Sequence, residues 1–224
     1  MLQGISAVAF DLDGTLYPNY RLNIRLLPFL FRHGRLLSAL GKARTIIRRE
    51  QEQSPASVRP DFHDYQAQIT ADLLHTQPEQ TKEKIEKLIY RGWGRYFSRI
   101  KLFPHVRETL AELRDAGLKL GLLSDFPPAI KLEKLGLADC WDTVLNSEDT
   151  GAIKPAIQPF MELAKALGCP PEQILYVGNS RRYDAVGGRR AGMKTALITR
   201  RRARKTKADF IFHDYRQLRD FVLH

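Results

Sequence analysis

Residues 5–16 read Ile5-Ser6-Ala7-Val8-Ala9-Phe10-Asp11-Leu12-Asp13-Gly14-Thr15-Leu16. The first six form a short, nearly continuous apolar run, the pattern of a strand buried in a parallel sheet. The run ends abruptly in two acids and a glycine, so a tight polar turn follows the carboxyl end of the strand, where open α/β sheets bind their ligands. Two carboxylates two residues apart supply a nucleophile and a general acid/base, and together they can hold a hard cation such as Mg2+.

The same pattern recurs downstream. Residues 118–123 (LKLGLL), 174–177 (ILYV), 195–198 (TALI) and 210–212 (FIF) are further short apolar runs, separated by helical periodicity at 106–116 and 157–167. Such alternation predicts an α/β fold, a Rossmann-like parallel sheet with helices on both faces. Pro104 stands before the first of these helices, and Gly117 and Gly168 stand where the two C-caps are expected. Residues 18–103 break the alternation. They show helical spacing, as in Leu26, Leu27, Leu30 and Phe31 and again in Ile85, Leu88, Ile89 and Trp93, but no strand. The expected organisation is a core of residues 1–17 and 104–224, with a helical unit of residues 18–103 inserted after the first strand. Residues 54–60 (SPASVRP) read as a loop within that unit.

A chain of 224 residues with 43% apolar side chains can bury a proper core. Its 36 basic against 25 acidic residues give a net charge of +11, which favours anionic partners. The excess is uneven. Residues 18–103 carry 16 basic and 8 acidic side chains, and residues 200–207 carry six basic and none acidic, so the remainder is mildly acidic. The run at 200–207 is expected to be a solvated connection between two strands. Cys140 and Cys169 have no CxxC spacing, which argues against a disulfide framework or zinc knuckle and for two buried thiols in a reducing cytosol. No apolar run approaches the roughly 18 residues of a membrane span, and the first residues lack a basic leader. A soluble, cytoplasmic protein with no membrane partner is expected.

Three further strings stand near predicted strand ends: Leu122-Leu123-Ser124-Asp125, Gly151-Ala152-Ile153-Lys154-Pro155, and Val177-Gly178-Asn179-Ser180-Arg181-Arg182-Tyr183-Asp184. Taken singly, Ser124 reads as a cap for the next segment and Lys154 as a surface lysine before a helix-starting proline. Taken in order with residues 11–16, the set resembles the haloacid dehalogenase-like hydrolases over residues 5–17 and 104–224. That resemblance implies a phosphatase in which Asp11 attacks phosphorus and Asp13 protonates the leaving group, then activates water. It also implies that Ser124 and Lys154 grip the phosphoryl group, and that Mg2+ is held by Asp11, the Asp13 carbonyl, Asp184 and Asn179. The insertion then corresponds to the family's helical cap. One position departs from the pattern: Asn179 stands where the family usually shows an aspartate, while Asp184 matches the second acid. An amide carbonyl still ligates Mg2+, with one fewer negative charge.

The expected function is Mg2+-dependent hydrolysis of a small phosphorylated metabolite through an aspartyl-phosphate. A phosphomutase would use the same residues. A dehalogenase is disfavoured, because the resemblance implies that dehalogenases of this family lack an acid at the position of Asp13. From another class, a catalytically weak or silent domain could bind nucleic acid or protein through the basic insertion. That reading is not favoured, since the insertion has no recognisable nucleic-acid module and its charges are interspersed with acids. The sequence carries no signal for an oligomeric state. Among the arginine pairs, Arg181 or Arg182 is expected near the site because both lie in the last string. The six histidines show no metal spacing, and Asp61-Phe62-His63-Asp64 reads as a loop or helix end.

Overall fold

The computed structural model describes residues 2–54, 58–98, 100–199 and 208–224. Six parallel strands form one sheet: β1 (Ala7–Phe10), β2 (Lys119–Ser124), β3 (Thr143–Asn146), β4 (Ile174–Gly178), β5 (Lys194–Ile198) and β6 (Phe210–Phe212). Their order is β3-β2-β1-β4-β5-β6. The winding therefore reverses beside β1, and a crevice opens between the carboxyl ends of β1 and β4.

Between β1 and β2 the described residues are helical, with no strand. They form α1 (Asn19–Arg25), α2 (Leu27–Gln53), α3 (Phe62–Leu74), α4 (Pro78–Lys84), a π-helical segment Ile85–Tyr90, and α5 (Gly94–Phe97). α2 is kinked at His33, whose φ and ψ of −129° and 18° leave the helical region. The core then adds α6 (Val106–Asp115), α7 (Ala129–Leu135), α8 (Ile157–Leu167), α9 (Val186–Arg190) and α10 (Tyr215–Leu223).

Successive side chains of a strand point to opposite faces, and β1 shows both faces covered. Ala7 and Ala9 pack with Phe160, Leu163 and Leu167 of α8. Val8 and Phe10 join a second cluster that contains Val106, Leu110 and Leu113 of α6 and Leu218 and Val222 of α10. This double burial explains the apolar run in the sequence. Gly168 ends α8 in the left-handed region, with a φ of +62°, as its position after the apolar periodicity predicts.

Strand and helix boundaries move by one or two residues from the expected ones. β3 is the element the pattern did not announce. It is a four-residue edge strand with Val144 exposed, too short and too wet to give an apolar run. Cys169 is buried as expected, but Cys140 is only half-buried, and neither forms a disulfide. The basic run 200–207 and residues 55–57 of the expected loop lie outside the described residues. Among the described residues no helix is long and apolar enough to cross a membrane.

Candidate active site

Asp11 follows β1 directly, and its backbone N–H donates to the Val177 carbonyl at 2.8 Å, so the sheet fixes it beside the end of β4. Its side chain is buried and fully engaged. Oδ1 accepts from Lys154 Nζ at 2.7 Å and Oδ2 from the Thr15 hydroxyl at 2.6 Å. The same ammonium donates to Asp184 Oδ1 at 2.9 Å and to Tyr176 Oη at 3.2 Å. Asp184, in the π-helical turn Arg181–Ala185 after β4, accepts on Oδ2 from the backbone N–H groups of Asn179 and Ser180 at 3.1 and 2.9 Å. One buried cation thus bridges two buried carboxylates.

Burial pushes the Asp11 carboxyl up to about 7. The nearby charge of Asp184 adds to this, and the Lys154 charge and the Lys154 and Thr15 hydrogen bonds only partly offset it. Burial alone would lower Lys154, yet Asp11 and Asp184 hold it well above its ordinary value. Asp125 behaves the opposite way to Asp11. Burial would raise it, but the charges of Lys154, Arg48 and Arg44 hold it below the usual carboxylate range.

Asp13 is partly exposed. Its Oδ1 accepts from the Tyr17 hydroxyl and its Oδ2 from Lys131 Nζ of α7 at 2.5 Å. The Asp13 carbonyl accepts from Asn179 Nδ2 at 2.9 Å. Gly14 makes that approach possible. Its φ of +87° suits glycine, and a Cβ there would lie 1.9 Å from Asn179 Nδ2.

Asp11, Asp13, Lys154, Asn179 and Asp184 line one cavity of about 310 Å³, together with Asn19, Asp125, Phe126, Ser180 and Tyr183. Ser124 is buried at the end of β2. Its hydroxyl accepts from the Phe126 N–H at 3.3 Å, and it does not line the cavity, whereas the adjacent Asp125 does.

The arginines beside the site are not the expected pair. Arg181 and Arg182 are exposed and do not line the cavity, and Arg182 lies 3.6 Å from Glu52. Arg44 and Arg48, one helical turn apart on α2, reach the site instead. Arg44 donates to the Asp125 carbonyl at 2.7 Å, to Gln66 Oε1 at 2.9 Å and to Glu148, and lies over the Phe126 ring. Arg48 donates to the Lys154 carbonyl and to Asp125 Oδ2, each at 2.8 Å, and lies over Tyr183. Their i, i+4 spacing is the one sequence signal that could have marked them; Lys131 had none. Arg48→Ala is expected to cost about 2 kcal/mol of stability, the scale of hydrogen bonds to a charged group. A denaturant midpoint equal to wild type would mean that this bridge between insertion and core contributes nothing.

Two carboxylates, an amide and a backbone carbonyl are all hard oxygen donors, the chemistry a divalent cation such as Mg2+ prefers. The raised Asp11 carboxyl fits this, since burial and Asp184 outweigh the one ammonium present. Among the described residues no three His, Cys, Asp or Glu side chains form a metal cluster. Asp61 precedes α3, and His63 and Asp64 lie in its first turn, as the helix-end reading expected.

A family model described as haloacid dehalogenase-like hydrolase matches residues 5–192. The chain is 28% identical over 214 residues to a phosphoglycolate phosphatase of Salmonella paratyphi A, covering 88% of this chain and 82% of that protein. It is 30% identical over 207 residues to a ribulose-1,5-bisphosphate 5-phosphatase of Halopiger xanaduensis, with 86% and 84% covered. Among solved structures it is similar to a phosphatase of the same family from Thermococcus onnurineus, with a TM-score of 0.66, 28% identity and 98% of each chain covered.

Proposed function

From the premise that this chain belongs to the haloacid dehalogenase-like hydrolases, we propose that it is a phosphatase of small phosphorylated metabolites working through an aspartyl-phosphate. The observation that carries this reading is the second carboxylate. Asp13 shares one cavity with Asp11, so a proton donor stands beside a nucleophile at the end of the central strand. The phosphatase relatives from Salmonella and Halopiger support the same substrate class.

In this reading Asp11 attacks phosphorus in line, the ester P–O bond breaks, and Asp13 gives its proton to the departing oxygen. Water then loses a proton to Asp13 and attacks the phosphorus of the aspartyl-phosphate, releasing phosphate and regenerating Asp11. Both Asp13 oxygens accept hydrogen bonds, from Tyr17 and Lys131, which suits the base of this second half. Lys154 balances the charge of nucleophile and phosphoryl group, and Ser124, whose oxygen accepts from the Phe126 N–H and whose O–H can still donate, is assigned to the phosphoryl oxygens. Asp11, the Asp13 carbonyl, Asn179 and Asp184 would hold Mg2+, which when bound supplies positive charge between two like-charged reactants. Residues 18–103 are read as the cap, which meets the core of residues 1–17 and 104–224 through Arg44 and Arg48.

A screen of phosphorylated metabolites with purified protein and Mg2+ tests the function. Release of phosphate from none of them, and from no aryl phosphate, would reject it. Asn179 gives a second test. Its amide donates to the Asp13 carbonyl, and an aspartate cannot, so two oxygens would face each other until a cation joins them. Asn179→Asp is therefore expected to lower the half-saturating Mg2+ concentration and to make thermal stability depend on Mg2+. An unchanged Mg2+ titration would remove Asn179 from the ligand set.

A further inference from the structure

α1 and the first part of α2 form a nearly continuous rod, since Leu26 and Leu30 N–H groups donate across the junction to Leu22 and Leu26 carbonyls. This rod is apolar on two sides. Leu22, Leu26 and Phe29 turn inward, where the Phe29 ring meets Trp93 and Tyr96. Tyr20, Ile24, Leu27 and Phe31 follow at intervals of four, three and four residues, a single helix face, and Leu30 joins them. All five are exposed, Ile24 to 61% and Phe31 to 93%. They are five of the nine exposed large apolar side chains among the described residues, a concentration that scattered surface apolar residues do not produce.

The charge along this stretch of the chain has one sign. Residues 14–49 contain no aspartate or glutamate and eight lysines and arginines. Arg44 and Arg48 turn inward to the site. Arg25, Arg32, Arg35 and Lys42 form no ion pair among the described residues, and Arg32, Arg35 and Lys42 are exposed. An apolar helix face flanked by unpaired arginines is the composition of a helix lying at a lipid–water boundary.

We propose that this face docks the protein on an anionic lipid surface, the rod lying flat with Ile24, Leu27, Leu30 and Phe31 in the acyl boundary and the basic side chains among the headgroups. A second copy of this chain fits less well, because a two-fold contact sets the same patch against itself and brings like charges together. Nucleic acid would engage the basic side chains but leave Ile24, Leu27 and Leu30 in water. The stripe begins one residue after Asn19, which lines the catalytic cavity, so a docked molecule holds that cavity near the headgroup layer. The inference stands apart from the phosphatase reading, as none of the stripe residues touches the reacting groups.

The test is sedimentation of the full chain with vesicles of phosphatidylcholine alone and of phosphatidylcholine with equimolar phosphatidylglycerol. Binding to the anionic vesicles only, weakened by salt, is expected. The double variant Leu27→Asp, Phe31→Asp should keep its circular dichroism spectrum and thermal midpoint and lose about tenfold or more in vesicle affinity. Arg32→Glu with Arg35→Glu should weaken binding to the anionic vesicles in the same direction. No binding by the wild type overturns the proposal, as does equal binding by wild type and the aspartate variant. A dimer in sedimentation velocity that the aspartate variant abolishes, without vesicle binding, assigns the face to a second copy and overturns it too. Retarded nucleic acid without vesicle binding does the same in favour of that partner.

Discussion

Asp11→Asn is expected to slow turnover by about 10⁴-fold or more, the scale of losing the nucleophile of a catalytic unit. The amide keeps the shape of the carboxylate, and with its oxygen toward Lys154 and its nitrogen toward Thr15 both contacts survive, since the Thr15 hydroxyl can accept. Lys154 retains Asp184, and the fold is expected to survive. Phosphate release from an aryl phosphate, measured beside a thermal melt, checks both statements. Residual activity above about one per cent in a folded variant would take the nucleophile's role from Asp11. The pH profile gives an independent reading. Attack needs the ionised carboxylate, and burial pushes Asp11 up to about 7. Activity at limiting substrate should therefore rise through pH 7, falling about tenfold per unit on the acid side. Saturating Mg2+ favours the ionised form and should move that limb to lower pH.

Lys154→Ala is the second large effect, and it reaches stability as well as rate. The ammonium is buried, touches Asp11 and Asp184, and helps hold Asp125 ionised. Removing one member of a buried ion pair costs about 3–5 kcal/mol, because the partner is left charged and dry. The cost should depend on pH in a definite direction. Without the ammonium the folded Asp11 carboxyl, already raised by burial, keeps its proton to still higher pH, while the unfolded chain, with carboxyls near their ordinary value of about 4, has released it. The charged and dry state is therefore reached only at the upper end of the pH range. A folded state that binds more protons loses stability as pH rises, and wild-type Asp11 already keeps its proton up to about 7, so the deficit against wild type should widen as pH rises from about 7. Urea midpoints across that range measure it. A deficit independent of pH would mean that Lys154 acts by packing alone. Turnover should fall with stability, and unchanged kinetics would remove Lys154 from the catalytic machinery.

What was legible in the sequence follows from what burial does to composition. β1 and β4 are covered on both faces and therefore read as apolar runs, each ending at the polar residues of the site. β3 sits at the edge with Val144 in water, and nothing in four residues distinguishes it from a loop. Asp11, Asp13, Lys154, Asn179 and Asp184 were found because each stands close behind a strand or in an ordered string. Lys131, Arg44 and Arg48 were not, because they come from helices whose charged residues read as solvated faces. Only the tertiary fold turns one end of α2 inward onto Asp125 and leaves its other end outward. Arg181 and Arg182 show the converse: they share a string with Asp184, yet both are exposed and neither lines the cavity.

The place of β1 also has a meaning in time. It precedes the other strands of this sheet in the chain and lies in the middle of the sheet, yet its neighbours begin at Lys119 and Ile174. At synthesis rates of roughly 5–20 residues per second, β1 waits on the order of 10 s for its first partner. The turn that follows it waits longer still, since the Thr15 carbonyl accepts from the hydroxyl of Tyr215, 200 residues further along the chain. A nascent chain of this kind carries a sticky, unpaired segment at least until Lys119 and its strand have been made. Its yield in a cell should thus respond to holding chaperones and to elongation speed more than its finished stability would suggest.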